Sequence, residues 1–177
     1  MVFKRLGPSY ETFKSILTLA NKKAIFVIQT INIMKKILVP VDFSDMTTDV
    51  LIYAIRMAKE NEASIVVLHV ASPNPIYSGA ETEPPLLQTY MVEELTREQG
   101  ELDAMVAHIK SQGIEASSTL LQGPIIDTIM DEANEIKADM IIMGKESHGL
   151  LYRTLLGTTS EGVIRRTHIP VLIIPDK

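Results

Sequence analysis

The amino-acid sequence predicts a doubly wound α/β domain, a Rossmann-like three-layer sandwich in which a five-stranded, mainly parallel sheet carries helices on both faces. From residue 35 onward, segments typical of strands alternate with segments typical of helices. The strand segments are apolar throughout rather than at every second residue, as in strands covered on both faces. Each connection contains a helical pattern, and helical crossovers favour parallel pairing of the strands they join.

The first strand and helix are predicted from residues 37–60. Residues 37–41 form a short apolar run, and the acidic and serine residues at 42–45 are of the types that cap helix N-termini. A helix of about Thr47–Glu60 follows, with one apolar face, and Ser64–Val70 is the second strand. The apolar face consists of Val50, Leu51, Ala54, Ile55 and Ala58.

Proline and glycine in residues 73–85 then predict a loop. A long helix follows and ends near Gly113, a residue type that caps helix C-termini, and Ile114–Leu121 is the third strand. The apolar positions that predict this helix are Leu95, Leu102, Met105, Val106 and Ile109.

Gly123 and Pro124 start the third helix, because proline is tolerated in a first helical turn. Met140–Met143 is the fourth strand, a fourth helix starts near Thr158, and Val171–Ile174 is the last strand. The apolar stripe of the third helix is Ile125, Ile126, Ile129, Met130 and Ala133. Open parallel sheets bind ligands beyond the carboxyl ends of their strands, so the loops after the first, second and fourth strands should carry the function.

Composition excludes several classes of protein. The 177 residues contain no cysteine, so disulfides, thiol nucleophiles and thiolate metal sites are impossible, and a reducing cytoplasm fits this usage. Residues 1–33 carry a net charge of +4 and residues 34–177 a net charge of −9. An acidic domain repels a phosphate backbone, so we expect no nucleic-acid partner.

The first 33 residues do not fit the alternating pattern, and we expect an N-terminal extension outside the core, followed by one domain at 34–177. Their longest apolar run, 24–33, is too short and too polar for a membrane span, so no membrane association is expected. The segment Lys22–Ile33 faintly resembles the basic and apolar regions of a signal peptide but is followed by no small-residue cleavage site.

The common catalytic and metal motifs are absent from the sequence. A Walker loop would need glycine where Asp139 stands, and no glycine follows the first strand. Neither a G-x-S-x-G elbow nor an H-E-x-x-H helix occurs. We therefore predict no catalytic residue and no metal site, and interpret each of the four histidines as a surface or loop residue.

A glycine-rich and hydroxyl-rich stretch remains after the fourth strand. It contains Gly144, Gly149 and the run 157–159, between a strand and a helix, where backbone N–H groups can form a phosphate site. The same stretch has a local excess of positive charge, from Lys145, Arg153, Arg165 and Arg166 against Glu146 and Glu161. Thr158 and Glu161 equally fit a capping box that needs no ligand, and composition leaves both readings open.

Taken together, several motifs resemble the universal stress protein family, over essentially all of residues 35–175. They are KILVPVDFS at 36–44, LHV at 68–70, GP at 123–124, ADMIIMG at 138–144, LGTTSE at 156–161 and PVLII at 170–174. Nucleotide-binding members of this family carry G-x2-G-x9-G-[ST] after the fourth strand, with ATP across the ends of strands one, two and four. This chain keeps the spacing from Gly144 to Gly157 and keeps Thr158, but it has Ser147 at the middle position, with Gly149 two residues later.

The resemblance implies a set of site residues. Pro40 and Asp42 would lie near the adenosine, and the backbone of Val70 would contact the base. The residues around the phosphates would be Met143, Gly144, Ser147, Gly157, Thr158 and Thr159. Gly149 would supply the flexibility that Ser147 lacks. The resemblance also implies a cytoplasmic homodimer joined through the last strand and a regulatory stress role without established turnover.

The leading hypothesis is a universal stress protein that binds an adenine nucleotide, ATP with or without Mg²⁺, as a sensor or switch rather than as a substrate. A nucleotide-free dimeric interaction module is the alternative, for which Ser147 is the main argument. A slow ATPase is the third hypothesis. It has the least support, because no residue stands out as a base that would activate water.

Overall fold

The computed structural model describes residues 34–71, 85–145 and 158–176, which belong to a compact unit spanning Met34–Lys177. The expectation for residues 1–33 concerns residues outside these ranges. The strands are β1 (Lys36–Val41), β2 (Ser64–Ala71), β3 (Ala116–Gln122), β4 (Met140–Gly144) and β5 (Val171–Ile174). The helices are α1 (Met46–Asn61), α2 (Pro85–Ser111), α3 (Ile125–Glu135) and α4 (Thr158–Arg166).

The five strands form one sheet in the order β3-β2-β1-β4-β5, and every neighbouring pair is parallel. The predicted doubly wound fold is confirmed. From β1 the chain moves outward to β2 and β3 and then crosses back to β4 on the other side of β1. The switch point of the sheet therefore lies between the carboxyl ends of β1 and β4.

Two apolar layers enclose the sheet. On one face α1 and α2 pack through side chains such as Val50, Leu102 and Ile109. On the other face α3 and α4 pack through Ile129 and Val163. Successive residues of β1 alternate between these layers, so both faces of the strand are buried and the run is apolar throughout.

The largest differences from the predicted boundaries are at the starts of α2 and β3. Helix α2 begins at Pro85, inside the segment predicted as a loop. Proline is common in loops but is also tolerated in the first turn of a helix, where its missing N–H breaks no intrahelical hydrogen bond. Strand β3 begins at Ala116 rather than Ile114. Ile114 is buried in the core ahead of the strand, and an apolar pattern does not separate burial from strand pairing.

Within the described ranges, no helix has the length and apolar character needed to cross a membrane.

Candidate functional site

A cleft of about 240 Å³ opens at the switch point of the sheet, beyond the carboxyl ends of β1, β2 and β4. One wall is largely apolar and comes from strand ends and α3. Its residues are Pro40, Leu68, Val70, Ile125, Ile129 and Met143. The rest of the lining is mostly polar and comes from the β1–α1 turn, the end of β4 and the start of α4. An apolar wall facing a few polar groups is the usual character of a small-molecule site.

Six of the ten residues predicted for the site line this cleft. They are Pro40, Asp42, Val70, Met143, Gly144 and Thr159. They come together because the carboxyl ends of parallel strands meet at one edge of the sheet. Thr158 opens α4 beside the cleft without lining it. The other three, Ser147, Gly149 and Gly157, lie outside the described residues.

The β1–α1 turn presents Asp42 to the cleft. One carboxylate oxygen, Oδ1, accepts a hydrogen bond from the Ser44 backbone N–H at 3.0 Å, and the Ser44 carbonyl accepts one from the Thr47 N–H at 2.9 Å. Between them, Phe43 has a left-handed φ of 58°. This conformation is uncommon for a residue other than glycine, and a bulky residue keeps it only where its surroundings offset the strain. Asp42 is itself exposed, so its carboxylate is available to a ligand.

The opposite side of the cleft is formed by the end of β4 and the start of α4. A β-carbon built on Gly144 would lie 3.4 Å from Met46 Cβ and from Val50 Cγ2, so α1 packs closely over this strand end. Thr159 and Ser160 line the cleft from the first turn of α4. The N-terminus of a helix carries a partial positive charge that favours anions, so this end of α4 is suited to a phosphate.

The charges around the cleft differ from the sequence expectation of a positive excess. Three of the four basic residues counted there are paired with carboxylates, and the fourth, Arg153, is outside the described ranges. The pairs are Lys145 with Asp176, Arg165 with Glu161, and Arg166 with Asp127. Asp127 and Asp176 fall outside the stretch that the sequence count considered. The described charged residues that line the cleft are Asp42, Asp45 and Lys145.

The interpretation of the histidines is wrong for His69. This residue lies in β2, is 9% exposed and lines the cleft. Its Nδ1 lies 2.8 Å from the Val41 carbonyl oxygen, and its Nε2 lies 3.4 Å from Oε1 of Glu98, itself buried on α2. A polar residue inside an otherwise apolar strand was the signal that could have identified it, because buried polar groups require partners.

Part of the apolar wall was also missed. Ile125 and Ile129 were both predicted as core positions of one helix stripe. Ile129 is 2% exposed, but Ile125 is 40% exposed and opens onto the cleft, because α3 begins there and its first turn extends to the edge of the sheet. Helical periodicity identifies the face of a helix but not where the neighbouring sheet ends.

In the described part of the chain, no group of three or more His, Asp or Glu side chains is placed to hold a metal ion.

The all-parallel sheet, the helices on both faces and the cleft at the switch point define a doubly wound α/β protein with a candidate ligand site in the usual place for that class. The family model of the universal stress proteins matches residues 34–175. The chain belongs to the universal stress protein family.

Individual relatives agree with this assignment. Universal stress protein MJ0531 of Methanocaldococcus jannaschii is 32% identical over 145 residues, which cover 81% of this chain and 83% of the relative. Among solved structures, protein MJ0577 of the same organism superposes with a TM-score of 0.69 at 25% identity, covering 82% of this chain and 98% of its own. The universal stress protein of Archaeoglobus fulgidus in complex with dAMP has a TM-score of 0.58 at 26% identity and covers 80% and 98%.

Proposed function

We propose that this protein binds an adenine nucleotide in the cleft between β1 and β4 and acts as a nucleotide-responsive regulator, with ATP and Mg²⁺ as the first ligand to test. The observation that carries the proposal is the composition of the cleft. Its apolar wall, which includes Val70 and Met143, offers a surface for a base, and Asp42 offers an acceptor for a ribose hydroxyl. The positive end of the α4 dipole favours a phosphate. The complex of the Archaeoglobus fulgidus relative with dAMP supports the same class of ligand.

The charges of the cleft determine how a triphosphate would bind. Asp42 and Asp45 are acidic, and the Nζ atom of Lys145 lies 3.6 Å from Asp176. A free triphosphate carries several negative charges, so a divalent cation would reduce its repulsion by these carboxylates. We therefore expect ATP to bind more tightly with Mg²⁺ than in the presence of a chelator.

Calorimetric titration with ATP and Mg²⁺, ATP and chelator, AMP, and GTP tests the proposal. Saturable binding of the adenine nucleotides at micromolar to low millimolar concentration, with weaker binding of GTP, is the expected result. If neither ATP nor AMP binds at millimolar concentration, the nucleotide proposal fails and the nucleotide-free interaction module takes its place. Ser147, in the position where nucleotide-binding relatives have glycine, is the feature that favours this second function.

We further propose that two copies of the chain pair through β5. This strand lies at the edge of the sheet, and apolar edge strands left uncovered promote aggregation. Antiparallel pairing of two β5 strands about a two-fold axis would cover both edges. On its inner side β5 pairs with β4: the Pro170 carbonyl accepts from the Ile141 N–H, and the Ile174 carbonyl accepts from the Lys145 N–H. Backbone groups alternate in direction along a strand, so those of Val171 and Ile173 point away from β4.

Ile173→Pro is expected to convert the dimer to a monomer, because it removes an outward N–H without removing a donor from the β4–β5 ladder. Ile173→Val keeps the N–H and serves as the matched control. Sedimentation velocity at micromolar concentration measures both. A wild-type protein that sediments only as a monomer, or a dimer that Ile173→Pro leaves intact, would contradict pairing through this edge.

A further inference from the structure

His69 connects the ends of two strands with a helix of the outer layer. It stands opposite Val41 in the parallel register of β1 and β2. Its Nδ1 lies at hydrogen-bond distance, 2.8 Å, from the Val41 carbonyl oxygen, and its Nε2 lies 3.4 Å from Glu98 Oε1. Both His69 and Glu98 are about nine-tenths buried, so these contacts are shielded from water.

The same imidazole also contacts the turn that follows β1. The Phe43 ring lies against it, with ring centroids 4.2 Å apart and an interplanar angle of 39°. Phe43 is the residue with the left-handed φ of 58°. A bulky residue adopts this conformation only when its surroundings compensate for the strain, and the contact with His69 provides such compensation.

Asp42 is therefore held from both sides by one residue. Both of its neighbours in the chain contact His69. The Val41 carbonyl oxygen lies at hydrogen-bond distance from the imidazole, and the Phe43 ring packs against it. Two anchors on either side of a single residue restrict the backbone angles that direct its side chain. The direction of the Asp42 carboxylate at the cleft thus depends on the placement of the imidazole.

We infer that His69 is a positioning residue for the nucleotide: it fixes the β1–α1 turn so that the Asp42 carboxylate meets a ribose hydroxyl, and Glu98 orients its ring. This inference rests on the proposed function. Glu98 supports it, because its second oxygen, Oε2, is buried and has no hydrogen-bond partner in the described part of the chain. A buried carboxylate with an unpaired oxygen is costly. The contacts of its Oε1, with His69 Nε2 at 3.4 Å and with Arg97 at 4.0 Å, offset part of this cost.

The test compares two ligands that differ only in the ribose hydroxyls, AMP and its 2′,3′-dideoxy analogue. His69→Phe is expected to weaken AMP binding by about five- to thirtyfold, less than the full loss of a hydrogen bond to a charged group, because the Asp42 carboxylate is misdirected rather than removed. Binding of the dideoxy analogue should change less than about twofold, because that ligand has no hydroxyl for Asp42 to accept from. In an Asp42→Ala background, His69→Phe should cause no further loss of AMP affinity, since coupled residues are not additive.

A purely structural role would give a different result, since loss of packing would weaken both ligands alike. Equal losses for AMP and the dideoxy analogue, or additive effects of His69→Phe and Asp42→Ala, would overturn the inference. If wild-type protein binds no adenine nucleotide, the proposed function fails. If it binds AMP and the ribose-dependent loss is absent, only the role of His69 fails.

Variants of Glu98 provide a second measurement that leaves the imidazole in place. Glu98→Gln keeps the length of the side chain and a polar group beside Nε2 of the ring, and it is expected to retain AMP affinity within about twofold. Glu98→Leu removes the polar group, and it should reproduce part of the ribose-dependent loss. Identical behaviour of the Gln and Leu variants would show that Glu98 does not orient His69, and this comparison decides the matter even if His69→Phe fails to fold.

Discussion

Asp42→Ala is expected to weaken adenine-nucleotide binding by about 10- to 150-fold. Hydrogen bonds to charged groups contribute about 1.5 to 3 kcal/mol, and about 1.4 kcal/mol corresponds to a factor of ten in affinity. Asp42 is the acidic residue directly after β1, it lines the cleft, and its carboxylate is exposed. Calorimetric titration with AMP and with ATP and Mg²⁺ measures the effect.

Asp42 also stabilises the turn, so the prediction needs variants that separate the two roles. Its Oδ1 accepts from the Ser44 N–H, and Asp42→Ala should lower the melting temperature as well. Asp42→Asn keeps an oxygen for Ser44 but loses the charge, so it should preserve the melting temperature and bind nucleotide less tightly than wild type. Asp45→Asn removes the same charge from the same cleft and is expected not to weaken binding. Long-range charge would act in the opposite direction, because removing a carboxylate lessens its repulsion of a negatively charged nucleotide. Equal weakening by Asp42→Asn and Asp45→Asn would therefore contradict a specific contact of Asp42 with the ligand.

The strands were predictable because burial on both faces leaves a simple pattern in the sequence. The predicted and observed bounds of β5 are identical, Val171–Ile174, and β4 differs by one residue. Prediction was weaker where apolar residues are buried without strand pairing, as at Ile114, and where proline suits both a loop and a helix start, as at Pro85. In these places the local sequence is compatible with both structures, and tertiary packing decides between them.

The position of the site was predictable from topology, but its polar contacts were not. Once β1 and β4 are parallel neighbours, the residues that follow them must meet at the switch point. The contact between His69 and Glu98 depends instead on which face α2 presents to β2, and the pairing of Arg166 with Asp127 depends on how α3 and α4 pack. The spacing of charges along the chain contains neither fact. The predicted excess of positive charge therefore did not take account of the carboxylates that pair with these basic residues.

The start of α4 is the second place where a single change should have a large effect. The helix begins at Thr158, Thr159 and Ser160 line the cleft, and Gly157 is the residue immediately before the helix in the sequence. Gly157 itself lies outside the described residues, so its role is a prediction from the sequence. A β-branched side chain at this position would obstruct the approach of a phosphate to the positive end of the helix dipole at the start of α4.

Gly157→Val is therefore expected to reduce AMP and ATP affinity by at least about tenfold, because contacts of a phosphate with helix N–H groups are hydrogen bonds to a charged group. Adenosine has no phosphate and should bind the variant as it binds wild type, which makes it the matched control ligand. Thermal shift with each of the three ligands, together with circular dichroism of the unliganded protein, measures the effect. A parallel loss of adenosine binding would indicate that the substitution disturbs the whole cleft. Retained stabilisation by AMP would mean that the phosphate binds away from the start of α4, and the nucleotide would then have to lie across the cleft in another orientation.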